Sequence, residues 1–307
     1  MRTLVPAFPS ATAELFREIG DLKRVRVAHA EGSLAQRSFV RSWKALVAGV
    51  DQGRVAGLEC AAALAGARLA GIDAGVLLRC GLPEADILEV LARAVRQVAG
   101  GLHPSTLGWV YRMLPELLDR ATQGAVASEP PSFVKQLCRQ LRAGATAPGR
   151  PRLLVELPEY HAEHCWAVAV YGALLAEGLG ADPGEAFLLG LAHHLHNAAL
   201  PDAGFAGDTL LGEHLDALVH RLTERELTTL PAVLATRVRA LLALRADADT
   251  PVGRAFHAAD VLDRVLQVHH HARAAGFTVD QALVDLELVH AGPVTDYHHA
   301  VLTAAGL

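Results

Sequence analysis

Apolar residues recur along most of the chain at the spacing of an amphipathic helix. The segments Ala85–Val98 and Leu230–Leu244 place them at positions i, i+3, i+4 and i+7, on one face of a helix. Alternating, strand-like runs are scarce, and the abundant Ala and Leu favour helix. Residues typical of helix starts and ends also flank the predicted helices. Pro83 suits a first turn, and Gly100 and Gly101 suit a helix end. The pattern therefore predicts an all-α protein.

Two stretches rich in Pro, Gly and small residues interrupt the helical pattern. One is Ser128–Pro131 and the other is Ala143–Pro151. A short helix is expected between them, over Phe133–Arg142. We place a domain boundary in the second stretch, so that residues 1–145 form a helical N-terminal region and residues 151–307 form a second helical domain.

The distribution of charged residues changes near the proposed domain boundary. Residues 1–150 carry 19 Lys and Arg against 13 Asp and Glu, whereas residues 151–307 carry 9 against 20. The net charges are thus +6 and −11, and 14 of the 16 histidines follow residue 150. The basic residues are dispersed and aromatic residues are few, so nucleic-acid binding is not expected. A basic half docked on an acidic half explains the asymmetry, and the N-terminal helices are also candidates for binding a protein partner or a second copy of the chain.

Neither the apolar runs nor the cysteines indicate a membrane or exported protein. The mean hydropathy is +0.25, but runs such as Cys165–Leu175 are far shorter than the roughly 20 residues that a membrane span needs. The first residues lack the uninterrupted apolar core of a signal peptide. The four cysteines are far apart and form no CxxC pair. A cytoplasmic protein without a membrane segment is therefore expected.

Two predicted helices in the C-terminal half carry histidines that point toward the interior. The first runs from about His161 to Gly178 and has His164 on its apolar face. The second begins after Asp182, a good N-cap, and continues through an apolar stretch toward Leu200. His193 and His194 lie near its end. An inward histidine is often a hydrogen-bonded core residue, so these rings are metal ligands only if further ligands join them.

A third predicted helix, about Arg254–His271, supplies such a ligand. It places Asp260 among apolar residues, where a carboxylate needs a compensating partner. Imidazole and carboxylate together suit first-row divalent metals, although His257, one turn earlier, is an alternative partner for Asp260. The run His269–His271 is predicted to be a solvated last turn, where histidine suits the helix dipole, and His298–His299 is interpreted in the same way.

Three segments, in this order, resemble the HD superfamily of metal-dependent phosphohydrolases. They are AEHCWAVAV, DPGEAFLLGLAHHLHNA and AADVLD, at residues 162–170, 182–198 and 258–263. The separation of 29 residues between His164 and His193 also fits the family pattern. The resemblance implies an HD-domain helical bundle in the C-terminal half. It also implies that His164, His193 and the late Asp260 are metal ligands.

The sequence departs from that family pattern at two positions. His194 stands where members have an aspartate that bridges two metal ions, and a neutral imidazole cannot bridge in that way. Asn197 stands where the nucleotidase-like branch has a glutamate that helps to activate water, and an amide does not accept a proton at neutral pH. Asp202 corresponds to a further family aspartate, and it, His196 or His161 is a possible substitute. A second register would pair His196 with Asn197 and lengthen the gap to 32 residues.

The resemblance, with these departures, implies a site for one divalent ion of iron, manganese, cobalt, nickel or zinc. The implied metal ligands are His164, His193, His194 and Asp260, and the implied catalytic positions are Asn197 and Asp202. The expected function is a mononuclear phosphohydrolase that acts on a nucleotide or another small phosphorylated molecule. The alternative is a non-catalytic signalling or scaffold protein, because PGEAFLLGLAHHL is also similar to HDOD domains, which are degenerate HD relatives.

Overall fold

The computed structural model describes residues 10–123, 128–150, 158–275, 278–285 and 287–307. These ranges hold fourteen α-helices and no strand, which confirms the all-α prediction. The N-terminal helices are α1 (Ser10–Asp21), α2 (Leu34–Val47), α3 (Gln52–Leu69), α4 (Ala74–Arg79), α5 (Glu84–Val98), α6 (Pro104–Gln123) and α7 (Ser132–Leu137). The C-terminal helices are α8 (His161–Ala176), α9 (Pro183–Ala192), α10 (Gly204–Leu211), α11 (Leu215–Leu227), α12 (Ala232–Ala243), α13 (Pro251–Ala275) and α14 (Thr295–Ala305). Within the described ranges, none of the helices has the length and apolar character needed to cross a bilayer.

Side-chain caps explain where several helices begin. The Asp182 carboxylate accepts a hydrogen bond from the backbone N–H of Glu185, and Pro183 occupies the first turn of α9, as the sequence predicts. Asp51 and Asp73 cap α3 and α4 in the same way. Each cap satisfies a backbone N–H group that the helix itself leaves without a partner.

Three helix ends differ from the predicted ones. α9 stops at Ala192 and is followed by a 3₁₀ turn over Leu195–Ala198, instead of continuing to Leu200. α7 ends at Leu137, five residues before its predicted end. α13 continues to Ala275, so the histidine run within it is not a last turn. Each end depends on hydrogen bonds and packing that helical periodicity does not encode.

Two histidines predicted to be solvated are buried. His271 is 1% exposed inside α13, and His298 is 7% exposed on α14. The His298 Nε2 atom lies 3.3 Å from Nδ1 of His257, because α14 packs against α13. The prediction was therefore wrong for His271 and His298, since tertiary packing covers residues that the local sequence pattern leaves at a helix end.

One continuous hydrophobic core joins the helices of both halves. The buried helix α8 packs against α9 and α13 and also against α2 and α3 of the N-terminal region. Phe16 of α1 stacks on Tyr171 of α8 with ring centroids 4.2 Å apart, and the Tyr171 hydroxyl donates to the Phe16 carbonyl oxygen. The N-terminal helices thus contact the elements that carry the candidate ligands. The boundary placed near residue 145 stays a prediction.

A close helix crossing lies where α9 passes α8. A methyl group added at Gly190 would lie 2.5 Å from the Cα atom of Ala169, well inside the contact distance of two carbon atoms. Glycine at position 190 therefore lets the two backbones touch. This contact places the beginning of α8, with His164, beside the end of α9, with His193.

Candidate metal centre

Three helices bring the predicted metal ligands together. His164 lies in the first turn of α8, His193 is the residue at which α9 ends, and Asp260 lies in the middle of α13. Ring nitrogens of His164, His193 and His194 lie within 4.8 Å of one another. The Nε2 atom of His164 is also 3.3 Å from Oδ1 of Asp260. Three of the four residues nominated as ligands therefore converge, and the fourth, Asp260, lies against His164.

Hydrogen bonds on the far side of two rings determine where their protons are. Nδ1 of His164 lies 2.8 Å from Oδ2 of Asp263, and Nδ1 of His193 lies 2.7 Å from the carbonyl oxygen of Gly190. Both oxygens are acceptors, so each Nδ1 donates, and in a neutral ring Nε2 then carries a lone pair. The two Nε2 atoms lie 3.2 Å apart. When both rings are neutral, the two Nε2 lone pairs face each other and suit a shared metal ion.

His194 shows the same arrangement with a different acceptor. Its Nδ1 lies 2.8 Å from Oδ1 of Asn197, whose amide nitrogen donates to the Leu200 carbonyl oxygen. The amide oxygen is therefore the acceptor, and Nε2 of His194 carries a lone pair that accepts a 2.9 Å hydrogen bond from Arg142. Asn197 thus orients a candidate ligand. Its predicted catalytic role stays a prediction.

Burial and neighbouring charges shift the pKa values of three of the candidate ligands, His193, His194 and Asp260. Burial, followed by the influence of His164, holds the pKa of His193 well below its ordinary value. Burial and then His193 do the same to the pKa of His194. Burial would raise the pKa of Asp260, but Arg264 and His164 outweigh it and hold that pKa well below the ordinary value. Neutral imidazoles and a carboxylate fit one first-row divalent ion.

A buried ion-pair network stands behind His164, and the sequence did not reveal it. Lys23, in the turn after α1, places its ammonium 2.5 Å from Oδ1 of Asp263 and 2.6 Å from Oε1 of Glu159. Burial would lower the pKa of Lys23, but Asp263 and then Glu159 outweigh it and raise that pKa. Glu159, His164 and Asp263 also present ligand atoms within 4.8 Å of one another, yet the Lys23 ammonium already pairs with both carboxylates, and Nε of Arg142 lies 3.7 Å from Oε2 of Glu159. The N-terminal region therefore supports the candidate metal centre directly.

Asp202 lies beside the histidines but is held by other groups. Its carboxylate accepts hydrogen bonds from the backbone N–H groups of Ala143 and Gly204, at 2.8 and 2.9 Å. Nε2 of His161 lies 3.4 Å from Oδ2 of Asp202. Burial would raise the pKa of Asp202, but His161 and Arg142 outweigh it and lower that pKa. A carboxylate so stabilised is a weak proton acceptor, and the predicted catalytic role of Asp202 stays a prediction.

His161 and His196 flank the converging rings. The His161 ring centroid lies 4.7 Å from that of His194, and its Nδ1 atom has no hydrogen-bond partner among the described residues. Burial lowers the pKa of His161 to about 4, so the ring is neutral at neutral pH. The His196 ring lies 5.7 Å from that of His194 and is not among the three histidines whose nitrogens converge. The arrangement thus pairs His164 with His193 and His194.

Comparison with known families agrees with this geometry. A family model described as an HD domain matches residues 134–287, which is half of the chain and runs from α7 to beyond α13. The match includes all four candidate ligands. No match was found among curated proteins or among solved structures. The fold expected for the C-terminal half is thereby confirmed, and the chain belongs to the HD domain family.

Proposed function

We propose that this protein is a mononuclear metal-dependent phosphohydrolase that acts on a small phosphoester such as a nucleotide. One observation carries the proposal: the Nε2 atoms of His164 and His193 meet at 3.2 Å beside Asp260 and His194. The HD domain, a metal-dependent phosphohydrolase-like fold, supports the same conclusion. Three imidazoles and one carboxylate suit a single ion of iron, manganese, cobalt, nickel or zinc.

A bound divalent ion would polarise the phosphoester and acidify a water molecule. Arg142 is the residue that we expect to hold the phosphate group. Its guanidinium lies 2.9 Å from Nε2 of His194 and is 19% exposed. With His194 engaged as a ligand, the Arg142 N–H groups become available for two parallel hydrogen bonds to phosphate oxygens.

His161 is the residue that we expect to accept the proton from water. Neither ring nitrogen has a hydrogen-bond partner among the described residues, but Nε2 lies 3.4 Å from Oδ2 of Asp202. A carboxylate on one ring nitrogen orients the imidazole and stabilises the imidazolium that forms when the other nitrogen takes a proton. Asp202 would thus act through His161 and not as the base itself.

A non-catalytic binding protein is the second candidate, and Arg142 is the observation that favours it. The hydrogen bond from Arg142 satisfies Nε2 of His194 within the protein. Asn197 carries an amide where a carboxylate would supply a base. A chain of this kind would use its HD fold as a scaffold for signalling or assembly.

The deciding experiment uses untagged protein loaded in turn with each of the five ions. Metal content is measured together with phosphate release from nucleoside monophosphates and p-nitrophenyl phosphate. His193→Ala is compared with His220→Ala, which removes an exposed histidine of α11. About one equivalent of metal and turnover, both lost only in His193→Ala, would support the phosphohydrolase. Metal without turnover would favour the second candidate, and no uptake of any ion would contradict a metal centre.

A further inference from the structure

A second cavity-like site lies between α1 and α13, apart from the converging histidines. Its volume is about 240 Å³, and none of the four candidate metal ligands lines it. Lys23 and Asp263 form part of its wall, so it adjoins the network behind His164. Neither the HD resemblance nor the proposed hydrolysis assigns it a role.

Positive charge dominates the wall of this cavity, which we name the α1–α13 cavity. The wall contains four cationic side chains and two carboxylates: Arg17, Lys23, Arg24, Arg273, Asp21 and Asp263. Lys23 is neutralised by Asp263 and Glu159, and Arg24 is 3.4 Å from Asp21. Arg17 and Arg273 form no ion pair with any residue in the described ranges. Two guanidinium groups therefore remain available to an anion.

The position of Arg24 is set by hydrogen bonds along the same wall. One of its terminal nitrogens donates to Oε1 of Gln267 at 2.7 Å, and the other donates to the Gly20 carbonyl oxygen at 3.2 Å. Both acceptors also line the cavity. A guanidinium held in this way is preorganised, so less side-chain entropy is lost when an anion binds.

The pKa values of two histidines in the wall of the cavity are lowered. Burial and then Arg17 lower the pKa of His269, and burial and then Arg24 lower the pKa of His270. The Nε2 atom of His269 is buried and has no hydrogen-bond partner among the residues described. A buried polar atom without a partner costs free energy unless a ligand or water satisfies it.

We propose that the α1–α13 cavity binds a small phosphate-containing anion at a site separate from the metal centre. The unpaired guanidinium groups match phosphate because each can donate two parallel hydrogen bonds to its oxygens. The volume lies below the roughly 300 Å³ at which typical pockets for drug-sized ligands begin, so the ligand is small. Inorganic phosphate and a sugar monophosphate present the same chemistry.

The test is isothermal titration of metal-free protein with inorganic phosphate and, separately, with ribose 5-phosphate. Arg17→Gln and Arg273→Gln each remove one unpaired guanidinium, and each should weaken binding by about tenfold, as expected for a charge-assisted hydrogen bond. Arg93→Gln is the matched control, because it removes a surface arginine of α5 that pairs with Glu89. Tighter binding of ribose 5-phosphate than of phosphate would identify a monoester as the ligand, and the reverse would identify free phosphate.

Arg142→Gln separates this site from the metal centre. Phosphate affinity should be unchanged in this variant, since Arg142 does not line the cavity. Binding that is lost in Arg142→Gln and kept in Arg17→Gln and Arg273→Gln would overturn the proposal. Absence of saturable binding in the unmodified protein would overturn it as well. Circular dichroism of each variant, and the exposed position of Arg273, ensure that a loss of binding is not a loss of folding.

Discussion

The Nε2 atoms of His164 and His193 face each other at 3.2 Å, and the Nδ1 proton of each ring is donated to another acceptor. When both rings are neutral, this contact has no hydrogen to share. Repulsion between the two lone pairs is relieved when a cation lies between them, so the folded chain should gain stability from a bound ion.

Metal binding should raise the melting temperature through this pair. At an ion concentration 100 times the dissociation constant, linkage predicts a gain of about 2.7 kcal/mol. His193→Ala removes one of the facing atoms and should abolish the gain. Differential scanning calorimetry with and without the ion measures it. A gain of equal size in His193→Ala would show that the ion binds elsewhere.

Asp263→Asn should weaken metal binding by about 10- to 100-fold, the range found when a residue that orients a metal ligand is replaced. The carboxylate holds the His164 ring at 2.8 Å and also pairs with Lys23. Competition with a chromophoric chelator measures the dissociation constant. Asp21→Asn is the control, because Asp21 is exposed and contacts none of the ligands. An unchanged dissociation constant would argue against this orienting role.

Two substitutions at Asn197 should have opposite results. Asn197→Asp keeps an oxygen that accepts the His194 Nδ1 proton and should retain metal affinity. Asn197→Leu removes the acceptor and should weaken binding by about tenfold or more. The same chelator competition distinguishes the two variants. Equal affinities would mean that His194 does not depend on Asn197 for its orientation.

His161→Gln should lower kcat by about 10²- to 10⁴-fold, the usual contribution of a general base, and should leave metal content unchanged. Because burial lowers the pKa of His161, the acidic limb of the pH–rate profile should lie below the ordinary range of histidine, and the limb should disappear in the variant. His196→Gln is the control on a neighbouring ring. An intact acidic limb in His161→Gln would exclude His161 as the base.

Stability of the metal-free protein should fall as the pH decreases from about 6.5 to 4. Burial lowers the pKa values of His161 and His298 to about 4, whereas a histidine in the unfolded chain titrates near 6.5. Between these values the unfolded chain binds protons that the folded chain does not, so acid favours unfolding by up to about 1.4 kcal/mol per histidine and pH unit. Urea denaturation at pH 7 and 5 measures the slope. His298→Gln should reduce it, and an unchanged slope would contradict this assignment.

Much of the candidate site follows from local patterns in the sequence. Helical periodicity places His164 on a buried face, and the Asp182 cap sets the start of the helix that leads to His193. The end of α9 was not predictable in this way. The hydrogen bond of His193 to Gly190 and the non-helical backbone of His194 (φ −113°, ψ 25°) direct two adjacent rings toward one point.

The sequence by itself determined the helical class and the Asp182 cap, because these depend on residues a few positions apart. The resemblance to the HD superfamily nominated the candidate ligands. Only the tertiary structure decided which charges support those ligands. Lys23 reaches Glu159 across 136 positions and Asp263 across 240. Such pairs leave no local periodicity, and they form because burial of one charge requires an opposite charge from wherever packing brings it. The cationic cavity between α1 and α13 arises from the same long-range packing.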